Sequence, residues 1–447
     1  MGSVTFYEFA YLFSHKMGSG GSITVVFNTI MSCFWPFTIL LAIYLLTNRF
    51  ILKKKKAKLT FSIIILFISL ISLIKSVHLD EYVINKSNTT DIYEKYYVDT
   101  NKVDVTLPKN KRNLIIIYLE SMESSLFSKK NGGAFDNSII PELENIALNN
   151  LNFSNTNLLG GAYTLTSTSF TISSITASTT GTPVNIKLFD GYSKEKPFMK
   201  NIKSLGNILS DNGYNLELIQ GSEKEFGALD LYLADNGNYK VFDNNTAKEK
   251  GLVKNDYFEW WGIEDKKVLE FSKSELKELA SNDKPFMLML FTMDTHFKDG
   301  YQDKTCIKKY EEPLANAYSC SSFMINDYIN WLKEQKFYSN TTIVLMGDHQ
   351  VMQDSFYYDY KDYNRVIYNA FINSVKSGNN KNRLFSQYDM YPTILSSIGA
   401  NIPENKLGFG VDLFSGEETL IEKLGKDTFD KELLKSSDYY DKYIFVQ

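Results

Sequence analysis

The chain has 447 residues, of which 48 are Lys or Arg and 52 are Asp or Glu, a net charge of −4. This near balance excludes the basic footprint of a nucleic-acid-binding domain, and the length leaves room for more than one domain, one of them with a sizeable core. There are four histidines and three cysteines, and no cysteine cluster has zinc-finger spacing.

Residues 1–22 carry Phe6, Phe9, Ala10, Leu12 and Phe13 at near-helical spacing, then a Gly/Ser-rich stretch from Met17 to Ser22. Such an amphipathic segment suits a membrane surface, and with no basic residues ahead of the apolar part a cleaved signal peptide fits poorly. Ile23–Leu46 is apolar apart from small polar residues and Asn28, and is long enough to span a bilayer. Pro36 should kink that helix rather than abolish it. Leu59–Ile74 is a second apolar run, completed by Lys75, which can snorkel. Between the runs lie Arg49, Lys53, Lys54, Lys55, Lys56 and Lys58, a loop that the positive-inside rule places in the cytoplasm. Residues 23–78 thus read as two transmembrane helices, with everything after His78 outside the cytoplasm. Residues 79–112, polar and tyrosine-rich, read as a linker, and 113–447 as the outward-facing domain.

From Asn113 to about Phe414, apolar runs alternate with helical patterns, which predicts an α/β domain with a mostly parallel central sheet. Helices are predicted at Pro141–Leu148, Ile202–Leu209 and Asp389–Ile398, the last stopped by Gly399. The closing Tyr443-Ile-Phe-Val446 reads as an edge strand. In Thr164–Thr182, 13 of 19 residues are Ser or Thr, the composition of a flexible linker. The interspersed Phe170, Ile172, Ile175 and Ala177 and the stop signal Gly181-Thr-Pro183 instead predict a short helix from about Thr171 to Thr180, with Ser169 or Phe170 near its cap.

Three buried strands end in chemistry-bearing residues: Asn113–Glu120 (NLIIIYLE) in Glu120, Phe286–His296 (FMLMLFTMDTH) in Asp294 and His296, and Thr341–His349 (TTIVLMGDH) in Asp348 and His349. Ligand crevices of α/β sheets lie beyond such carboxyl ends. Glu, Asp-His and Asp-x-His at one edge look like a divalent-metal site with an acid or base beside it. A mostly oxygen set with one nitrogen suits Mn²⁺, Mg²⁺ or Zn²⁺. A helix-start hydroxyl beside such an ion would be an activated nucleophile, but composition does not single one out among so many.

Longer motifs do. Phe170–Val184 (FTISSITASTTGTPV) resembles the nucleophile segment of the phosphoglycerol transferases that modify periplasmic glucans, in which aromatic-Thr-Ile opens the stretch and Gly-x-Pro closes it. Asp294–Cys306 (DTHFKDGYQDKTC) resembles that family's Asp-Thr-His…Asp-Gly…Thr-Cys block, and Leu114–Glu123 (LIIIYLESME) and Gly347-Asp-His349 its strand-end motifs. Tyr388–Leu395 and Leu407–Val411 are similar to its later segments. The blocks fall in order over about 300 residues. The wider group, with lipoteichoic acid synthases and lipid A phosphoethanolamine transferases, has the alkaline-phosphatase/sulfatase fold.

The resemblance implies that fold for this chain, Thr171 as nucleophile, and one divalent ion (manganese, Mn²⁺, ahead of Mg²⁺ or Zn²⁺) held by Glu120, Thr171, Asp348 and His349. It implies a substrate-side His296 with Asp294 next to it. Trp261 and Asp265, in Trp260-Trp-Gly-Ile-Glu-Asp265, match an aromatic-Gly-x-x-Asp block that borders the substrate, although core packing explains the tryptophans equally well. Arg365 is a candidate phosphate holder on charge alone. The implied partners are phosphatidylglycerol as donor, a glycan acceptor and the membrane, and the implied location is a bacterial inner membrane with the catalytic domain in the periplasm. Transfer of phosphoethanolamine, or hydrolysis of a lipid head group, are the alternatives. The chain departs from the pattern in its two spans, where many relatives have more, and in Phe297-Lys298, where a His-Pro pair is usual.

No Cys/Ser-x-Pro-x-Arg motif of a true sulfatase is present. Cys306 and Cys320, in a domain read as extracytoplasmic, are expected to form a disulfide, worth about 3 kcal/mol in the chain-entropy model and bracing the segment that carries His296. Thiol titration of unreduced, denatured protein should then find Cys33 alone; two further reactive thiols would refute the bond.

Overall fold

The computed structural model describes residues 6–15, 38–47, 55–76, 78–185, 190–353, 356, 360 and 363–445. Its centre is a sheet of strands β1 (Asn113–Leu119), β2 (Asn215–Ile219), β3 (Lys240–Phe242), β4 (Phe286–Phe291), β5 (Thr341–Gly347) and β6 (Asn369–Ile372), in the order β3-β2-β4-β1-β5-β6. Every pairing is parallel except that of β5 with β6. The three long apolar runs are the three central strands, buried at every residue, as expected where helices cover both faces of a parallel sheet.

Alternate residues of β1 enter opposite cores. Leu114, Ile116 and Tyr118 pack with Ile175, Tyr388 and Ile394, from helices Thr171–Thr180 and Gln387–Ser397. Ile115, Ile117 and Leu119 pack with Leu143, Leu276 and Ile325, from helices Pro141–Asn149, Asp265–Ala280 and Pro313–Lys333. In the parallel register Leu119 pairs with Gly347, and Tyr118 with Phe291. Glu120 and Asp348 therefore leave the sheet as neighbours, with the chain after Phe291 on their other side.

The Ser/Thr-rich tract is a buried helix, Thr171–Thr180, ending at Gly181 with φ +66°. Its hydroxyls turn back onto their own helix: Thr176 donates to the Ile172 carbonyl at 2.8 Å and Ser178 to that of Ser174 at 2.8 Å. Hydroxyls satisfied in this way can sit in a core. Of the ten residues only Thr171 is not fully buried.

Three expectations need correction. The helix before β2 is Leu205–Asp211, opened by Ser204 as its cap, rather than Ile202–Leu209. Residues 79–112 are no free linker: Ile92 and Tyr93 are buried, and the backbone pairs Val98 with Gly408 and Thr106 with Asn401. Tyrosine-rich composition here means buried rings, not solvation. Tyr440–Ile444 is a π-helical turn, not an edge strand, because it buries Tyr440, whose hydroxyl takes the Asn185 N–H at 3.0 Å; Val446 lies outside the described residues.

The amphipathic segment is helical over Phe6–Ser14. Residues 23–37 of the first expected span, and Arg49, Lys53 and Lys54 of the basic loop, lie outside the described residues. The second span coincides with helix Lys55–Ser76, on which Leu59, Ile63, Leu66 and Phe67 are exposed. Among the described residues no helix is long and apolar enough to cross a membrane.

At the sheet edge, a Cβ on Gly347 would lie 2.0 Å from the Met122 carbonyl oxygen, so the loop after β1 can close over the end of β5 only against glycine. Gly347→Ala is expected to cost ~1–3 kcal/mol through overpacking. Thermal unfolding of the purified chain checks this as a lowered Tm.

Candidate active site

Glu120, Asp348 and His349 are buried at the carboxyl ends of β1 and β5, and one ligand atom from each lies within 4.8 Å of the others. Asp348 Oδ1 accepts the backbone N–H groups of Ser121 at 2.8 Å and His349 at 2.7 Å, which leaves Oδ2 facing His349 Nε2 at 3.4 Å. Glu120 Oε1 accepts the Ser121 hydroxyl at 2.6 Å and lies 3.8 Å from the same Nε2. His349 Nδ1 is 2.8 Å from the Gln350 carbonyl, so it carries the proton it donates there and Nε2 faces the carboxylates. Thr171 Oγ1 is 3.5 Å from His349 Nε2, at the first turn of its helix, where the partial positive charge of the N-terminus adds to the site.

The electrostatics call for a cation. Burial, and then the charge of Glu120, push the Asp348 carboxyl up to about 6. Burial opposes charging His349, but Asp348 and Glu120 outweigh it and raise the imidazole to about 9. In effect a proton on His349 neutralises two dry carboxylates, a role a divalent ion fills with more charge. Two carboxylate oxygens, an imidazole nitrogen and a hydroxyl form a donor set that fits one such ion.

His296 follows β4. Its Nδ1 is 2.6 Å from the Phe297 carbonyl, and its ring packs on Trp261 with centroids 4.2 Å apart. Burial pushes its pKa down to about 4, so at neutral pH it is uncharged with Nε2 able to accept a proton.

A profile of the sulfatase family matches residues 112–400. The chain belongs to the sulfatase family. Phosphoglycerol transferase I of Escherichia fergusonii is 32% identical over 282 residues, which are 60% of this chain and 35% of that protein. Phosphoglycerol transferase I of Shigella flexneri is 30% identical over 341 residues, 73% of this chain and 41% of that one. The chain thus spans well under half the length of these curated relatives. Among solved structures, the lipoteichoic acid synthase LtaP of Listeria monocytogenes superposes with a TM-score of 0.51 at 17% identity, over 76% of this chain and 82% of that one. An alkaline phosphatase superfamily protein of Vibrio parahaemolyticus gives 0.51 at 19% identity, over 66% and 69%. These likenesses establish an alkaline-phosphatase/sulfatase-like fold.

Within this sulfatase-family domain, the other predicted site residues have supporting places. Asp265 and Asp294 are each 1% exposed. The Asp265 carboxyl accepts the N–H groups of Met293 at 2.7 Å and Asp294 at 3.1 Å, while Asp294 Oδ1 accepts the N–H of Asp265 at 3.1 Å. Burial pushes Asp265 up to about 7, and burial followed by Asp265 itself holds Asp294 well above the carboxylate range. Asp294 Oδ2 has no hydrogen-bond partner among the described residues. The pair is a lock on the loop carrying His296, tightened by Trp260 Nε1 donating to the Met293 carbonyl at 3.1 Å and by the Thr295 hydroxyl donating to that of Glu120 at 2.6 Å. Of the block Trp260–Asp265, Trp261 packs on the His296 ring and Asp265 holds the Asp294 carboxyl.

Arg365 is likewise engaged elsewhere. It grips the fully buried Glu123 with two nitrogens, Nε at 2.9 Å, and donates to the Val351 carbonyl at 3.0 Å. Glu123 in turn accepts the Val351 N–H at 2.9 Å, which ties the loop after β1 to the loop after His349. Cys306 and Cys320 are bonded, with Cα atoms 5.5 Å apart, joining the loop after His296 to helix Pro313–Lys333.

Three residues escaped the sequence reading: Ser121 and Glu123, inside the quoted LIIIYLESME, and Gln387. Gln387 donates to the carbonyls of Thr168 at 3.3 Å and Asp348 at 3.2 Å, linking the approach to Thr171 with the metal-side strand. Its one sequence signal is adjacency to the Tyr388 block.

Two outcomes follow. Asp265→Ala leaves two buried N–H groups without acceptors, at ~1–3 kcal/mol each, and should lower both Tm and turnover in the purified chain. Because His349 is protonated below about 9 in the metal-free protein, binding a divalent ion must expel that proton. Apparent metal affinity should therefore rise as pH rises towards about 9 and level off above it, with calorimetry in buffers of different ionisation enthalpy finding roughly one proton released.

Proposed function

We propose that this chain is a metal-dependent phosphotransferase of the cell envelope, moving the phosphoglycerol head group of phosphatidylglycerol to a glycan hydroxyl through a phosphothreonine at Thr171. The observation that carries the reading is the setting of Thr171. It is the one incompletely buried residue of its helix, and its hydroxyl stands 3.5 Å from His349 Nε2 beside two buried carboxylates. The similarity to phosphoglycerol transferase I proteins supports the donor.

Glu120, Thr171, Asp348 and His349 would hold one divalent ion, Mn²⁺ in our reading, whose charge favours the threonine alkoxide and the crowded phosphoryl oxygens. Thr171 Oγ1 attacks phosphorus as neutral His296 takes the hydroxyl proton and passes it to the diacylglycerol oxygen, whose bond to phosphorus breaks. In the second half, His296 takes the proton of the incoming glycan hydroxyl as its oxygen attacks phosphorus, and gives it to Thr171 Oγ1 as that bond breaks. Each half moves one proton from the attacking to the leaving oxygen and ends with His296 neutral, so the cycle closes. Asp265 and Asp294 act at a distance by holding the His296 loop still.

In this reading residues 23–78 anchor the enzyme in the inner membrane, with residues 113–447 in the periplasm. The exposed Leu59, Ile63, Leu66 and Phe67 and the basic loop support that placement. An anchor holds the site among lipid head groups and raises the effective donor concentration.

The experiment is intact-mass analysis of the purified chain after incubation with phosphatidylglycerol and Mn²⁺, beside Thr171→Ala. A gain of one phosphoglycerol, absent from the variant, is expected. Labelling by phosphatidylethanolamine alone would overturn the donor, and lipid turnover undiminished in Thr171→Ala would overturn the nucleophile. His296→Gln should keep metal binding and lower transfer by about 10²–10⁴.

A further inference from the structure

His296 and His349 leave the sheet after β4 and β5, which are not neighbours, because β1 lies between them. The ladder therefore does not set one histidine loop directly against the other. Among the described residues, the hydrogen bonds joining residues 294–301 to residues 348–353 all come from one side chain, Gln353. Its Oε1 accepts the Asp299 N–H at 3.0 Å, and its Nε2 donates to Asp299 Oδ1 at 3.3 Å and Glu312 Oε1 at 3.4 Å. The carboxamide fits in one orientation only, since the reverse would set its oxygen against two carboxyls and its NH₂ against an N–H. Gln353 is 8% exposed, so water competes little for these bonds.

Both ends of this clasp are themselves held. The chain between His349 and Gln353 is pinned at Val351, whose N–H goes to Glu123 and whose carbonyl takes Arg365. On the other side, the Tyr301 N–H donates to the Asp294 carbonyl at 2.6 Å and closes the His296 loop at its base. Asp299 has φ +71° and Gly300 +66°, and a Cβ on Gly300 would lie 2.5 Å from that of Ala317. A non-glycine residue keeps such a conformation where its surroundings impose it. Gln353 does so by taking both the N–H and the carboxyl of Asp299. Glu312, its third partner, directly precedes helix Pro313–Lys333.

We propose that Gln353 is a positioning residue that couples the two sides of the site: the loop leaving His349 sets, through Asp299, where His296 stands relative to Thr171. The inference rests on the proposed transfer reaction only for the work that His296 does. The coupling itself is a property of the two loops. It matters because a group that moves protons in phosphoryl transfer loses rate steeply with small misplacement.

The test uses the full chain in detergent, with Mn²⁺ alone as the first probe. In the wild-type chain Mn²⁺ should slow amide exchange in residues 296–301 as well as around Glu120 and Asp348. In Gln353→Ala, exchange of residues 296–301 should be about five- to tenfold faster, and Mn²⁺ should no longer slow it, with Mn²⁺ affinity unchanged. Wild-type exchange in residues 296–301 that ignores Mn²⁺, or protection that survives the substitution, overturns the coupling. Faster exchange extending through β1 and β5 also overturns it, by making Gln353 a general stabiliser.

Catalysis gives a second readout. Gln353→Ala should lower kcat for phosphatidylglycerol about 10- to 100-fold and leave KM unchanged; an unchanged kcat overturns the positioning role. Gln353→Glu sets a carboxylate against Asp299 and Glu312. Its activity relative to wild type at each pH should rise as pH falls, because the protonated carboxyl can again donate to Asp299; a ratio flat with pH overturns the donor role of Nε2. No turnover of phosphatidylglycerol by the wild-type chain would overturn the donor reading, while the exchange results decide the coupling by themselves.

Discussion

Two carboxylates, Glu120 and Asp348, are held side by side in a dry environment, and much of the domain can be understood as what that requires. Their proximity comes from the parallel register that pairs Leu119 with Gly347, so neither can move without breaking the ladder between the two central strands. Removing two like charges from water is costly unless positive charge and hydrogen bonds compensate. The compensation is local: the N–H groups of Ser121 and His349, the Ser121 hydroxyl, and the His349 imidazole between the carboxylates. A site with this charge is prepared for a cation.

The surrounding loops are braced by buried polar groups rather than apolar contacts alone. Asp265 and Asp294 lock the loop after β4, Glu123 and Arg365 join the loops after β1 and β5, and Gln387 bridges the approach to Thr171 and the Asp348 backbone. Such networks confer little net stability over well-packed apolar groups. They do restrict geometry, because each partner has one arrangement that satisfies it, and a phosphoryl-transfer site depends on positioning. The disulfide between Cys306 and Cys320 does similar work on the flank of the His296 loop.

Two helices that flank the predicted spans also touch each other. Helices Phe6–Ser14 and Leu79–Ser87 meet through Phe6, Tyr7 and Tyr82, next to the helix that begins at Thr171.

By itself the sequence determined the three central strands, because runs such as NLIIIYL and TTIVLMG are apolar without a break and have no stable place except a sheet covered on both faces. It also determined which residues stand at the strand ends, since a Glu or an Asp-His directly after such a run has nowhere to go but the carboxyl edge. Motif order singled out Thr171 among many hydroxyls, and the structure adds the physical mark that it alone on its helix is incompletely buried. The tertiary structure decided what each remaining polar residue does. Asp265, Asp294 and Arg365 looked like substrate groups because charge is visible in a sequence, while the backbone amides and the buried Glu123 that engage them are not. Likewise residues 79–112 looked like a linker because their tyrosines are polar enough for solvent, and residues 1–22 like a membrane-surface segment because their apolar residues recur at near-helical spacing. Their burial depends on partners such as Phe409, Gly227 and Leu434, hundreds of residues away. Periodicity reports a residue's own preference, and only packing over long sequence separations determines which neighbour satisfies it.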